Sequence, residues 1–170
     1  MWKRVLNNME KEHSIDDNKV KYINYCINAF ARQYDMSLLE SFNYLERYGG
    51  VAFLDECYAA EHLLSVEDAV KDLTVICKNN GGKLESRHSE GCKFTKEDMS
   101  TKDYLVQSIV SQMVVYLMDE FRWDMITAMK AIYHSELFRK LDDVEIGLYT
   151  QSPKYVYCYL KKELLTGKYI

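Results

Sequence analysis

Asp35-Met36-Ser37-Leu38-Leu39-Glu40 opens an apolar-periodic run that continues to Tyr48-Gly49-Gly50, and both of its ends are marked. Ser37 and Glu40 have the spacing of a capping box, in which the hydroxyl takes the third helical N–H while the carboxylate reaches back. Glycine readily takes the left-handed conformation that stops a helix, so Gly49-Gly50 reads as its end. Further along, Asp124-Met125-Ile126-Thr127-Ala128-Met129 opens a second such run. Each opening is followed by a serine helix start: Ser65-Val66-Glu67-Asp68 in one case, Ser152-Pro153-Lys154-Tyr155 in the other. One helical plan is therefore written twice.

Working outward, Asp16 can cap a helix in which Val20, Ile23, Ile27 and Phe30 recur on one face. A third helix is expected from Val51 to about Leu63, presenting Leu54, Tyr58 and His62. Ser65 caps a fourth, carrying Val66, Ala69, Val70 and Leu73, and Asn79-Asn80-Gly81-Gly82 ends it. In the second half, Ser100 or Thr101 caps a helix with a wide apolar stripe from Leu105 through Val110 and Val114 to Leu117. So wide a stripe suits a central helix packed on two sides. Asp124 starts the next helix, Ser135 to Tyr149 holds a short one with a bend at Gly147, and Ser152-Pro153 starts the last, which ends at Gly167. Tyr155 to Tyr159 is rich in β-formers, but the Ser-Pro cap argues for helix.

The fold class predicted is all-α: about eight short helices in two similar helical halves joined by a polar linker. The divisions are residues 1–15 as a polar N-terminal segment, 16–78 as a first helical domain, 79–99 as the linker and 100–170 as a second helical domain. Identity between the halves is slight beyond the Asp-Met pairs and the serine caps, so convergence of two short-loop units is favoured over duplication.

With 48% apolar residues in 170, the chain can bury a substantial core. Its net charge of -4 and pI near 5.6 argue against a duplex-binding protein, which needs clustered Lys and Arg. The five cysteines show no C-x-x-C pair and read as reduced thiols. No long apolar stretch follows Met1-Trp2-Lys3-Arg4 or reaches membrane-spanning length, so a cytoplasmic location without membrane contact is expected.

Neither half carries a recognisable catalytic motif, and no metal or cofactor is expected. His88 and Cys92, with Cys77 upstream, lack the frame of a zinc site. Asp142-Asp143-Val144-Glu145 lacks the alternating ligands and turn glycine of a calcium loop. Asp124 to Tyr133 resembles half a helix-turn-helix, but no basic stripe follows it. Glu61-His62 could pair an acid with an imidazole for proton transfer, yet adjacent helical residues diverge by about 100°. Fourteen tyrosines are the clearer excess. Tyrosine combines large contact area with a polar tip, which suits protein interfaces as well as the rim of a small core.

The first half resembles a family of small bacterial domains of unknown function. The resemblance lies in Ile23-Asn24-Tyr25-Cys26-Ile27, Met36-Ser37 through Tyr48-Gly49, Tyr58-Ala59-Ala60-Glu61-His62, and Val66-Glu67-Asp68-Ala69-Val70-Lys71-Asp72. Members are commonly encoded beside toxins resembling ADP-ribosyltransferases, which implies an antitoxin-like role. The second half, from Tyr104 to Lys168, looks like a companion protein of the same gene neighbourhoods, on Leu141-Asp142-Asp143, Gly147-Leu148-Tyr149 and Tyr155-Val156-Tyr157 with Leu160. The doubled glycine at 49–50 and Ala59-Ala60 depart from the family's pattern.

The expectation is a non-enzymatic protein-interaction module, antitoxin-like or an inhibitor of a neighbouring toxin or effector, binding its protein partner through Tyr58, Glu61, His62, Tyr149 and Tyr155. The alternative is a mobile-element-encoded inhibitor of a host defence nuclease, acting as an acidic nucleic-acid mimic without touching nucleic acid itself. A third reading is a small hydrolase or transferase using Glu61 and His62.

Overall fold

The computed structural model describes residues 2–84 and 99–167, with side chains from Asp17 onward except that of Asp142. Among the described residues nine α-helices follow one another: α1 (Trp2–Tyr34), α2 (Leu38–Arg47), α3 (Gly50–Glu56), α4 (Tyr58–Glu61), α5 (Val66–Asn79), α6 (Thr101–Phe121), α7 (Met125–Tyr133), α8 (Glu136–Asp142) and α9 (Pro153–Thr166). A 3₁₀ turn, Leu148–Thr150, stands between α8 and α9. There is no strand among the described residues, so the chain is all-α. Most of the expected polar linker lies outside the described residues.

The caps fall where side-chain chemistry puts them. Ser37, Ser65, Ser100, Asp124, Ser135 and Ser152 each accept the N–H of the residue three positions on. Ser37 and Glu40 complete the capping box. Ser100, rather than Thr101, caps α6. Three expectations need correction. Asp16 lies inside α1, which is a continuous 33-residue helix rather than a tail followed by a short one. The 21-residue α6 is likewise long. The helix predicted over 51–63 breaks at Cys57, whose backbone (φ -97, ψ 10) leaves the helical region and lets α4 set off separately. The break accompanies a tertiary anchor, the Tyr22 hydroxyl donating to Glu61 O at 2.8 Å, which local periodicity cannot show.

The halves correspond element by element. After the long helices α1 and α6 come helices of 10 and 9 residues, then 7 and 7, then a turn of 4 or 3, then 14 and 14. The caps Ser37 and Asp124, the caps Ser65 and Ser152, and the two positive-φ residues Asp35 and Arg122 are each 87 apart, the separation of Asn24 and Ser111. Buried Leu54 and Leu141, Leu73 and Leu160, and Phe42 and Met129 keep the same register. The partner of Asp124 is therefore Ser37, not Asp35, and matching the two Asp-Met pairs sets the register two residues off. The correspondence runs without a gap from Asn24 and Ser111 to Leu73 and Leu160.

The two units share one core. α1 and α6 pack antiparallel, since Arg32 meets Asp103 at 2.6 Å while Asn24 meets Ser111. Asn43 and Lys130, equivalent positions, each reach the end of the other unit's short helix: Asn43 Oδ1 accepts from His134 Nε2 at 2.8 Å, and Lys130 pairs with Glu46 at 2.6 Å. Such reciprocal contacts are the pattern of a twofold axis. It passes beside Asn24 and Ser111, equivalent residues that hydrogen-bond each other.

Candidate functional site

α4 is a single turn, and its position rests on α1. The Tyr58 ring meets the Tyr22 ring edge-on at 5.7 Å and stacks on His62 at 4.6 Å. His62 Nδ1–H donates to Tyr58 O at 2.6 Å, which fixes the ring's tautomer. His62 is exposed, whereas Glu61, next to it, is only 6% exposed and its Oε2 has no hydrogen-bond partner. The two neighbouring side chains thus differ sharply in exposure. Glu61 was expected on a binding surface; its burial removes it from one.

Burial is the main cause that raises the Glu61 carboxyl above its usual range, with Asp72 of α5 adding to it. Around it, burial also pushes the Cys26 thiol up to about 12 and raises the Tyr22 phenol. The folded chain consequently holds the Glu61 proton more tightly than the unfolded chain does. Stability from this residue is fully present below the ordinary carboxylate range and declines as pH rises through the raised folded value. Glu61→Gln, which mimics the protonated acid, is expected to raise the thermal midpoint at pH 7 and to lose that advantage near pH 4. Thermal melts of both proteins across that range check it; an unchanged or lowered midpoint at pH 7 would contradict it.

Tyr149 sits half-buried in the 3₁₀ turn, and Tyr155 is exposed on α9 with its hydroxyl 2.8 Å from that of Tyr159. Among the described residues, no hydrogen bond or ring contact joins these two to Tyr58, Glu61 and His62. Tyr149 is nevertheless the 87-residue equivalent of His62, so both mark the same place in their respective units.

A cavity of about 820 Å³ opens between α1, the α4–α5 turn and the first half of α6. Tyr22 and Tyr25 wall it on one side, Tyr104 on another, and His62, Leu64 and Val66 close the turn side. Gln107, Ser108 and Ser111 of α6 form its floor. Sequence reasoning identified none of the floor residues. The available signal was Asn24 and Ser111, polar residues set within otherwise apolar helix faces and both almost fully buried.

Several of the described carboxylates are each paired with a cation. Asp55 pairs with Lys19, Asp68 with Lys71, Asp103 with Arg32, Glu46 with Lys130 and Glu120 with Lys161. Among the described residues, no group of three or more His, Cys, Asp or Glu side chains is placed to hold a metal ion. His88 and Cys92 lie outside the described residues, as does the Asp142 side chain. No described helix is long and apolar enough to cross a membrane.

These features define a two-unit helical protein with an aromatic cavity at the contact between its units. Residues 21–80, from the middle of α1 through α5, match the family described as "Protein of unknown function (DUF3791)". The matched span includes Tyr58, Glu61 and His62. No curated protein and no solved structure matches the chain.

Proposed function

We propose that the chain is a non-enzymatic interaction module that binds and restrains a toxin or effector encoded nearby. The observation that carries this reading is an apolar shelf at the cavity mouth. Leu63 is 77% exposed, Leu64 44% and Tyr104 62%; Val75, Val144, Ile146, Tyr155 and Leu165 are exposed elsewhere on the protein. Leu64 and Tyr104 line the same cavity from opposite elements. Exposed apolar groups bordered by aromatics are favourable anchors once a partner covers them. The neighbourhood of the resembled family supplies the kind of partner, a toxin similar to ADP-ribosyltransferases.

The test is co-expression of the chain with the adjacent toxin-like gene product, scoring both rescue of growth and co-purification. Leu63→Glu with Leu64→Glu places two charges on exposed positions and should leave the fold intact. It is expected to weaken the complex by tenfold or more. Tyr58→Ala and Tyr155→Ala test the remaining tyrosine surface. Undiminished binding in all three variants would overturn the surface assignment, and absence of any complex with the wild-type chain would overturn the function.

A further inference from the structure

The cavity floor has a hydrogen-bonding polarity set from behind. Asn24, nearly fully buried, engages three partners: its Nδ2 donates to Ser111 Oγ at 3.0 Å, its Oδ1 accepts from the Tyr133 hydroxyl at 3.0 Å, and its carbonyl accepts from Gln107 Nε2 at 3.0 Å. With the Tyr133 hydroxyl donating to Oδ1, the Nδ2 end of the Asn24 amide faces Ser111. Ser111 Oγ is thereby an acceptor toward Asn24, and among the described residues its own proton has no acceptor although the residue is only 2% exposed. A hydroxyl has both a donor and acceptor capacity, so this buried donor is left for whatever occupies the cavity. The Gln107 amide is oriented in the same way. With Nε2 committed to Asn24, Oε1 remains as an acceptor.

Residues 107 and 111 are one turn apart on the same face of α6. The floor therefore presents one donor and one acceptor side by side. No carboxylate among the described residues lines the cavity, and Lys21, which does line it, is paired with Asp17. Tyr22, Tyr25 and Tyr104 supply aromatic walls, and the volume lies within the range of small-molecule sites, about 300–1,000 Å³.

We infer that this cavity is a binding site for a flat, uncharged heterocycle with a lactam edge. The ligand N–H donates to Gln107 Oε1, its C=O accepts from the Ser111 hydroxyl, and its rings lie among the tyrosines. The site shares Leu64 and Tyr104 with the proposed partner surface, but its hydrogen-bonding determinants, Gln107 and Ser111, lie on α6 and are not touched by substitution of Leu63 and Leu64.

The probe is quinolin-2-one, titrated into the full chain and followed by calorimetry and ligand-observed NMR. Its N-methyl derivative keeps the shape and the carbonyl but lacks the donor, and leaves the protein untouched. Saturable binding of quinolin-2-one is expected, weakened about three- to tenfold by N-methylation and by Ser111→Ala, as loss of one hydrogen bond predicts. Ser108→Trp, at an exposed floor position, should abolish binding of both compounds with the circular dichroism and thermal midpoint retained. The inference is overturned if wild-type protein shows no saturable binding. Equal affinity for the two compounds would overturn it too, since the cavity would then be merely apolar.

Discussion

Phe42→Ala is expected to lower stability by about 3–5 kcal/mol and to destabilise both units together. Phe42 is fully buried in the first unit, and its ring stacks on Tyr133 of the second at 4.3 Å with the planes 6° apart. Tyr133 in turn meets Phe138 at 4.8 Å, and His134 approaches Phe42 edge-on at 6.1 Å. Truncation removes the transfer energy of a whole ring and leaves a cavity on the interface between units, where neither side can close it alone. Urea unfolding of protein carrying Trp2→Phe, followed both by far-ultraviolet circular dichroism and by the fluorescence of Trp123, checks the coupling. The two curves should shift together to lower denaturant. A Trp123 transition that stays at its wild-type midpoint would show that the second unit does not depend on this contact.

Asn24→Ala should cost about 2–4 kcal/mol, more than its size suggests. The loss comes from the partners left behind. Ser111 Oγ loses its donor, and the Tyr133 hydroxyl, on a residue only 3% exposed, loses its acceptor. Tyr133→Phe removes only one of those bonds and should cost about 1–2 kcal/mol. Measured on the same urea transition, a loss for Asn24→Ala no larger than that for Tyr133→Phe would mean that the Ser111 bond contributes little. The same variant tests the floor of the cavity, since Asn24 orients both Ser111 and Gln107.

What was legible in the sequence was mostly local. Capping hydroxyls and carboxylates act within one turn, so Ser37, Ser65, Ser100, Asp124 and Ser152 could be found without knowing what packs where. The apolar stripe from Val106 to Leu117 likewise announced a central helix. The features that escaped depend on contacts between distant residues. Cys57 carries no helix-breaking chemistry, and α4 separates where the Tyr22 hydroxyl holds Glu61 O, 39 residues away in sequence. Asp16 is a good capping type, but nothing in the side chain says that the backbone before it is already helical. The register of the repeat was missed because residue types were compared and not roles: Ser37 and Asp124 cap equivalent helices with different atoms.

The candidate site divides in the same way. Tyr58 and His62 were both placed on the helix expected from Val51 to about Leu63, and their rings stack on each other. Glu61 was placed on the surface because glutamate usually is exposed. Its burial follows from how α4 sits on α1, which one turn of sequence does not encode. Gln107 and Ser111 look unremarkable on α6, and become a donor–acceptor pair only because Asn24 occupies their other hydrogen-bonding capacity.

The covalent joining of two equivalent units changes what dilution and substitution can do. An assembly of separate identical subunits dissociates as its concentration falls, and every substitution appears on both sides of its axis. Here the pairing is intramolecular, so it persists at any concentration at which a single copy exists. Substitution also acts on one side only. Asn24 faces Ser111, and His62 stands where the other unit has Tyr149, so the axis relates two backbones but no longer two chemistries. One chain can therefore present a cavity on one side of itself and a different surface on the other, a division of labour closed to a symmetric dimer of the same shape.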